Sequence, residues 1–253
     1  MFAVGMDEFC NLILYSQVIL SPYKKINAAK QQGCVAATKT KNKGTCSTAA
    51  SQEPSISSAK RDVKEIIFGS LLGDAHLELP PRGLNARFGF TQSLEKKDYF
   101  LSVLNSLEKE KICSGKYREN SHADRRTGKI YTNLNFWSKA LPLLNEFYIK
   151  FYNNKVKIVP LDLSLLTPIA LAHFVMQDGS RGTSNGLYLC TDCFTYNDVQ
   201  RLSLYLNNIY NIKCSIHKSG KNYRIYILVK SVETVKLLIL PFMHETMRYK
   251  LGV

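Results

Sequence analysis

The chain lacks any uninterrupted apolar run of about 18 residues, the length a membrane-spanning helix needs. Its best stretch, Ile158 to Met176, is broken by Pro160, Asp162 and Pro168, so no membrane partner is expected. Cysteine is neither dense nor regular. Seven in 253 residues, odd in number, exclude a disulfide-stapled scaffold and favour a reducing compartment. A single Cys-x-x-Cys, Cys190 to Cys193, has no second such pair and no His pair beside it. It is therefore read as ordinary small core residues rather than a zinc or redox site. Acidic residues are scarce too: 20 Asp/Glu stand against 34 Lys/Arg, a formal charge of +14. Such an excess calls for a polyanion such as DNA, RNA or an anionic surface.

The basic excess is not confined to one end. Residues 1–61 hold eight Lys/Arg and three Asp/Glu, so the remaining 26 basic and 17 acidic residues leave the rest at net +9. Asp7 and Glu8 precede the apolar patch Phe9 to Leu20, where an export signal would carry positive charge. Residues 21–61 are rich in Lys, Ala, Ser, Thr and Gln without apolar periodicity. Residues 1–61 are thus expected to be a mobile basic extension, with a composition that also suits an organellar transit peptide.

From Asp62 onward the pattern is regular and occurs twice. In residues 62–157, Ile66, Ile67, Ser70, Leu71 and Asp74 carry helical spacing. A turn at Pro80 to Gly83, a strand over 86–91 and an amphipathic helix with Tyr99, Phe100, Val103, Leu104 and Leu107 on one face follow. Strands at 113–118 and 131–137 are then joined by a polar loop over 119–129, and a helix over 141–152 closes the unit. Residues 158–253 repeat the order: helix 167–178, strand 186–191, helix 196–209, strands 213–217 and 223–229, helix 232–240. The expected fold class is α+β, two pseudo-symmetric αββαββα units in tandem.

Asp74 and Asp178 end the first helix of each unit. A carboxylate at the C-terminal end of a buried helix opposes the helix dipole and needs a compensating partner. Gly69 and Gly73 form a Gly-x-x-x-Gly step that costs helix stability and so implies close approach of a second helix. Were the two motif helices packed together, the two aspartates would emerge side by side and suit Mg²⁺, which takes oxygen ligands and keeps several waters. The bland alternative is that both merely cap turns before Ala75 and Gly179.

These residues resemble the LAGLIDADG homing endonucleases, specifically the single-chain, two-motif type encoded in organellar introns. The resemblance covers roughly residues 62–253 and rests on Leu72-Gly73-Asp74-Ala75, on Leu166-Thr167-Pro168 through Met176-Gln177-Asp178-Gly179, and on Pro241 to Leu251. It implies a DNA-binding saddle of two antiparallel sheets that cuts both strands of a long duplex site. Asp74 and Asp178 fall on the family's metal-binding catalytic acids, and Lys157 and Lys250 on its basic residues near the reacting phosphates. Gln177 departs from the pattern, standing where many relatives have a second acid. DNA contact is expected from Arg87, Gln92, Lys116, Arg118, Lys218 and Arg224, with the neighbouring Arg125, Arg126 and Lys129 as a phosphate-contacting cluster. The implied activity is a Mg²⁺-dependent monomeric DNA endonuclease that promotes intron mobility in the mitochondrion, or alternatively the chloroplast. An intron RNA maturase on the same fold is the alternative function.

Overall fold

The structure, a computed structural model, describes residues 56–253, with side chains described from Asp62. The expected extension therefore lies outside the described residues except for 56–61, which form the opening turns of the first helix.

Each unit runs α-β-β-α-β-β-α. The first comprises α1 (Ile56–Leu72), β1 (His76–Glu78), β2 (Arg87–Ser93), α2 (Lys97–Lys109), β3 (Arg118–Ala123), β4 (Ile130–Trp137) and α3 (Pro142–Phe151). A small hairpin, β5 (Tyr152–Asn153) and β6 (Val156–Lys157), leads to the second unit. That unit comprises α4 (Pro168–Asp178), β7 (Gly179–Arg181), β8 (Leu187–Leu189), α5 (Tyr196–Tyr210), β9 (Cys214–Ser219), β10 (Asn222–Ile227) and α6 (Val229–Ile239). The two four-stranded antiparallel sheets have the same order, β1-β2-β4-β3 and β7-β8-β10-β9. The α+β class and the repeated topology expected from the sequence are both present.

One strand differs from expectation. The first unit's outer strand is Arg118–Ala123 rather than 113–118. Cys113 is buried and resembles the start of a strand, but Gly115 turns the chain at φ +70. Every residue of Arg118–Ala123 is exposed, so no apolar alternation betrays it. Its six backbone pairings to β4 hold it instead, helped by a turn in which Asp124 Oδ1 accepts the N–H groups of Arg126 and Thr127, both at 2.8 Å.

Helix α1 packs along α4 at the junction of the units. Gly69 permits it: a Cβ there would lie 2.0 Å from the carbonyl oxygen of Ala170, so the backbones approach as the Gly-x-x-x-Gly step implied. Pro168 opens α4 at a position where its missing N–H costs nothing. On either side of the helix pair the cores differ. The first is aromatic, with Phe88, Phe90, Tyr99, Phe100 and Phe136 in mutual ring contact. The second is aliphatic, built on Leu187, Leu189, Val199, Leu202, Leu206, Ile225 and Ile227.

Candidate functional site

Helix α1 ends at Leu72, two residues before Asp74, while Asp178 is itself the last residue of α4. Because the helices pack together, both acids reach the same end of the interface. Asp178 is partly buried, and desolvation followed by the Asp74 charge pushes its carboxyl up to about 7, against the pull of Lys157, Lys250 and Lys96. Asp74 is exposed, and its Oδ2 accepts a hydrogen bond from Gln92 Nε2 at 2.5 Å.

Lysines reach the two helix ends by different routes. Asn154 and Lys155, both left-handed (φ 47 and 65), turn the β5–β6 hairpin and bring Lys157 over the first motif. Its Nζ donates to the carbonyls of Gly73 at 3.0 Å and Ala75 at 2.9 Å. Lys250 lies on the 3₁₀ segment Glu245–Leu251, and its Nζ donates to the carbonyl of Gln177 at 2.8 Å. Each ammonium thus holds the carbonyl of the residue preceding its aspartate, where the helix dipole favours a cation. Burial holds both ammonium groups below the usual lysine range, Lys250 at about 8. An ammonium has three donors, so two remain on Lys250 and one on Lys157 for an incoming group.

The donor set fits a divalent cation. Two hard carboxylates meet at a point where they repel one another, and among the described residues no cluster of three or more His, Cys, Asp or Glu competes for the ion. Water and phosphate oxygens would complete the coordination of a small hard cation.

The outer faces of the sheets carry the candidate contact residues. Strand alternation sends Thr91, Asn133, Asn135, Asn120 and Arg118 to the outer face of the first sheet, with Thr91, Asn135 and Arg118 in one row. Asn135 Nδ2 donates to Thr91 Oγ1 at 2.7 Å. The second sheet presents Tyr188, Tyr226 and His217 in ring contact, with Tyr188 hydroxyl and His217 Nδ1 3.1 Å apart.

The expected DNA contacts fare unevenly. Lys116 and Arg118 are exposed, and Arg118 shares the outer face. Arg87 is held by Glu78 at 2.7 Å and lies 4.2 Å over the Trp137 ring. Arg224 grips Asp192 at 2.5 Å. Gln92 is buried and belongs to the acidic centre through Asp74 rather than to the outer face. Lys218 alternates with Cys214 and Ile216 and so falls on the helix-facing side beyond the core. The outer-face residue there is its neighbour His217.

Lys96 escaped the sequence reading, and Gln177 and the Cys-x-x-Cys stand differently from what it implied. Lys96, in the turn before α2, bears electrostatically on both Asp178 and Lys250. Gln177 spans the helix pair to Asp74 and Ser70. The Cys-x-x-Cys is not core: Cys193 is exposed and Cys190 half-buried, and both feel the Asp178 charge.

The chain is similar to known proteins in sequence and in fold. Residues 64–235 match the model of the LAGLIDADG DNA endonuclease family. The chain is 33% identical over 201 residues to cytochrome b mRNA maturase bI2 of Saccharomyces cerevisiae, covering 76% of this chain and 47% of that protein. It is 32% identical to the protein of that name from Debaryomyces hansenii, covering 76% and 74%. It is 31% identical to DNA endonuclease I-ChuI of Chlamydomonas applanata, covering 75% and 94%. Among solved structures, the homing endonuclease I-WcaI bound to its DNA recognition sequence superposes with a TM-score of 0.70 at 22% identity, over 80% of this chain and 95% of that one. This last likeness speaks to the fold.

Proposed function

We propose that this chain, which belongs to the LAGLIDADG DNA endonuclease family, is a site-specific double-strand DNA endonuclease that hydrolyses phosphodiester bonds with Mg²⁺ at an intron insertion site. The observation that carries this reading is the pairing of Asp74 and Asp178 at one end of the α1–α4 interface, each with a lysine on the carbonyl before it. RNA binding alone would not require that arrangement.

The chain's own residues divide the work. Asp74 and Asp178 would hold the divalent cation, whose chemistry when bound is to activate water and stabilise the leaving oxygen. Gln92 orients Asp74. Lys157 and Lys250, anchored by one face and free on the other, stabilise charge on the phosphates of the two strands. The amide-rich and aromatic outer sheet faces read base edges in the two halves of the site, while Lys116, Arg118 and the exposed Arg125, Arg126 and Lys129 contact backbone phosphates. With both halves on one chain the protein acts as a monomer. It serves an organelle, the mitochondrion in preference to the chloroplast.

The test is a cleavage assay with Mg²⁺ on plasmids tiling intron-less organellar genes, comparing wild type with Asp74→Asn and Asp178→Asn. Double-strand cutting at one site, lost in both variants, is expected. A folded protein that cuts nothing would turn the reading to its alternative, an intron RNA maturase. The likeness to two proteins named mRNA maturases supports that second activity, which binding to intron RNA would test.

A further inference from the structure

Gln177 is 4% exposed and makes three side-chain hydrogen bonds, all to the first unit. Its Oε1 accepts the backbone N–H of Asp74 at 2.8 Å. Its Nε2 donates to Ser70 Oγ at 2.9 Å and to the Tyr99 hydroxyl at 2.8 Å. The amide orientation follows from chemistry: Asp74 presents its backbone N–H to the amide, so only the amide oxygen can meet it. The rest of the chain of bonds is then directed. With the amide donating to its oxygen, the Tyr99 hydroxyl points its proton at His173 Nδ1, 3.0 Å away. His173 is consequently neutral with its proton on Nε2, in keeping with burial that holds it down at about 4.

Space is reserved for this amide. A Cβ on Gly73 would lie 2.6 Å from Gln177 Oε1, so the first unit leaves room for the second unit's side chain. The relation is one-sided, because Gly73 occupies the equivalent position and has nothing to send back. Gln177 also offers its own carbonyl to Lys250 and directly precedes Asp178.

We infer that Gln177 is a positioning residue that holds Asp74 in register with the second unit's acid and lysine, so that cutting of the two strands is coupled through one buried amide. The inference rests on the nuclease reading above. Without this amide, the strand served chiefly by Asp74 should fall behind the other and nicked DNA should accumulate.

The experiment is a strand-resolved, single-turnover cleavage time course on a supercoiled plasmid carrying the cut site, for wild type, Gln177→Leu and Gln177→Glu. Leucine keeps the volume and removes the bonds; glutamate keeps an acceptor for the Asp74 N–H. Gln177→Leu should slow one strand about tenfold more than the other, the worth of about 1.4 kcal/mol, while duplex affinity stays at the wild-type level. Gln177→Glu should restore much of the lagging cut. Equal slowing of both strands, or unchanged kinetics, would overturn the inference while leaving the nuclease reading intact. Absence of wild-type cutting on every site would overturn both. Should Gln177→Leu fail to fold, Tyr99→Phe removes one anchor of the amide without opening a cavity. The same strand bias, smaller, is expected there, and its absence counts against the inference.

Discussion

The two units have the same seven elements and the same strand order, yet almost every side chain around the paired acids differs between them. Gly73 matches Gln177, Gln92 matches Thr191, and His76 matches Ser180. The first acid sits on an exposed turn held by Gln92 and by the other unit's amide. The second ends its helix, half-buried, while Thr191, at the position of Gln92, donates its hydroxyl to the carbonyl of Tyr223 at 2.7 Å instead. Only the lysines are truly equivalent, and they arrive on unrelated scaffolds, a two-residue hairpin turn and a 3₁₀ segment. Backbone symmetry therefore brings the two aspartates to one end of the helix pair, while side-chain asymmetry gives each a different set of partners. A duplex site without two-fold symmetry suits such a protein.

The largest expected effect tests that equivalence. Lys157→Met and Lys250→Met should each slow cutting on the order of 10²- to 10³-fold, the usual cost of losing a donor aimed at developing charge. Duplex affinity should change little. Single-turnover rates would read it, and a loss confined to one lysine would break the symmetry claim.

Next is the helix interface. Gly69→Ala drives a Cβ into the backbone of Ala170, which cannot rotate away, and should destabilise the fold by about 2 to 3 kcal/mol. Gly73→Ala meets a side chain, Gln177, which can yield, so about 1 kcal/mol is expected. Urea denaturation of the two variants would rank a rigid contact against a soft one; equal losses would show that the amide is as immovable as backbone.

The third prediction uses the burial of the second acid. A carboxyl whose folded pKa lies above its unfolded value favours folding most fully below that unfolded value. Asp178, raised to about 7 from 3.8, therefore withdraws stability from the metal-free protein as pH rises through about 7. Lys250, lowered to about 8, works the other way: its buried charge disfavours folding below about 8, and the penalty lifts as pH rises through that value. Asp178→Asn should thus stabilise the metal-free protein at pH 8 by on the order of 1 to 2 kcal/mol, allowing for partial solvent screening, and by little at pH 4. Mg²⁺ should close the gap by stabilising the wild type alone. Chemical denaturation at the two pH values with and without the ion would check it, and a variant less stable at pH 8 would contradict the picture of a repelled, desolvated carboxyl.

What could be read from the residues beforehand follows from the kind of signal each part leaves. The amphipathic helix face Tyr99, Phe100, Val103, Leu104 and Leu107 is buried as its spacing implied. The Gly-x-x-x-Gly step gave away the helix pair because a glycine in a helix has a cost that only packing explains. Strand β3 left no such trace, since pairing is a backbone property and all six of its side chains face solvent. The aspartates were legible from their repeated placement. The contacts of Gln92, Gln177 and Lys96 with them were not, because each crosses a junction between elements. Arg87 and Arg224 could be placed on strands, but their carboxylate partners, Glu78 and Asp192, belong to neighbouring strands or strand ends and emerge only with the register.

The smallest effect separates local from tertiary support for the matching helices α2 and α5. Helix α5 begins with a capping box, Thr195 hydroxyl accepting the Asp198 N–H at 3.3 Å while Asp198 accepts in return. Helix α2 begins at Lys97, and its N-cap, Lys96, makes no side-chain cap bond. Its N-terminal end instead leaves a lysine charged toward Asp178, where a capping Ser or Asp would suit the helix better. Thr195→Ala should cost about 1 kcal/mol of stability with cutting unchanged. Lys96→Ser should be neutral or slightly stabilising, by tenths of a kcal/mol, because the cap gained offsets little else locally. Yet it should slow cutting, since the lost charge faces the paired acids. Melting curves read beside cleavage rates would show whether α2 gave up a cap for a cation at the centre; a Lys96→Ser protein that cuts at the wild-type rate would mean the uncapped end serves only the fold.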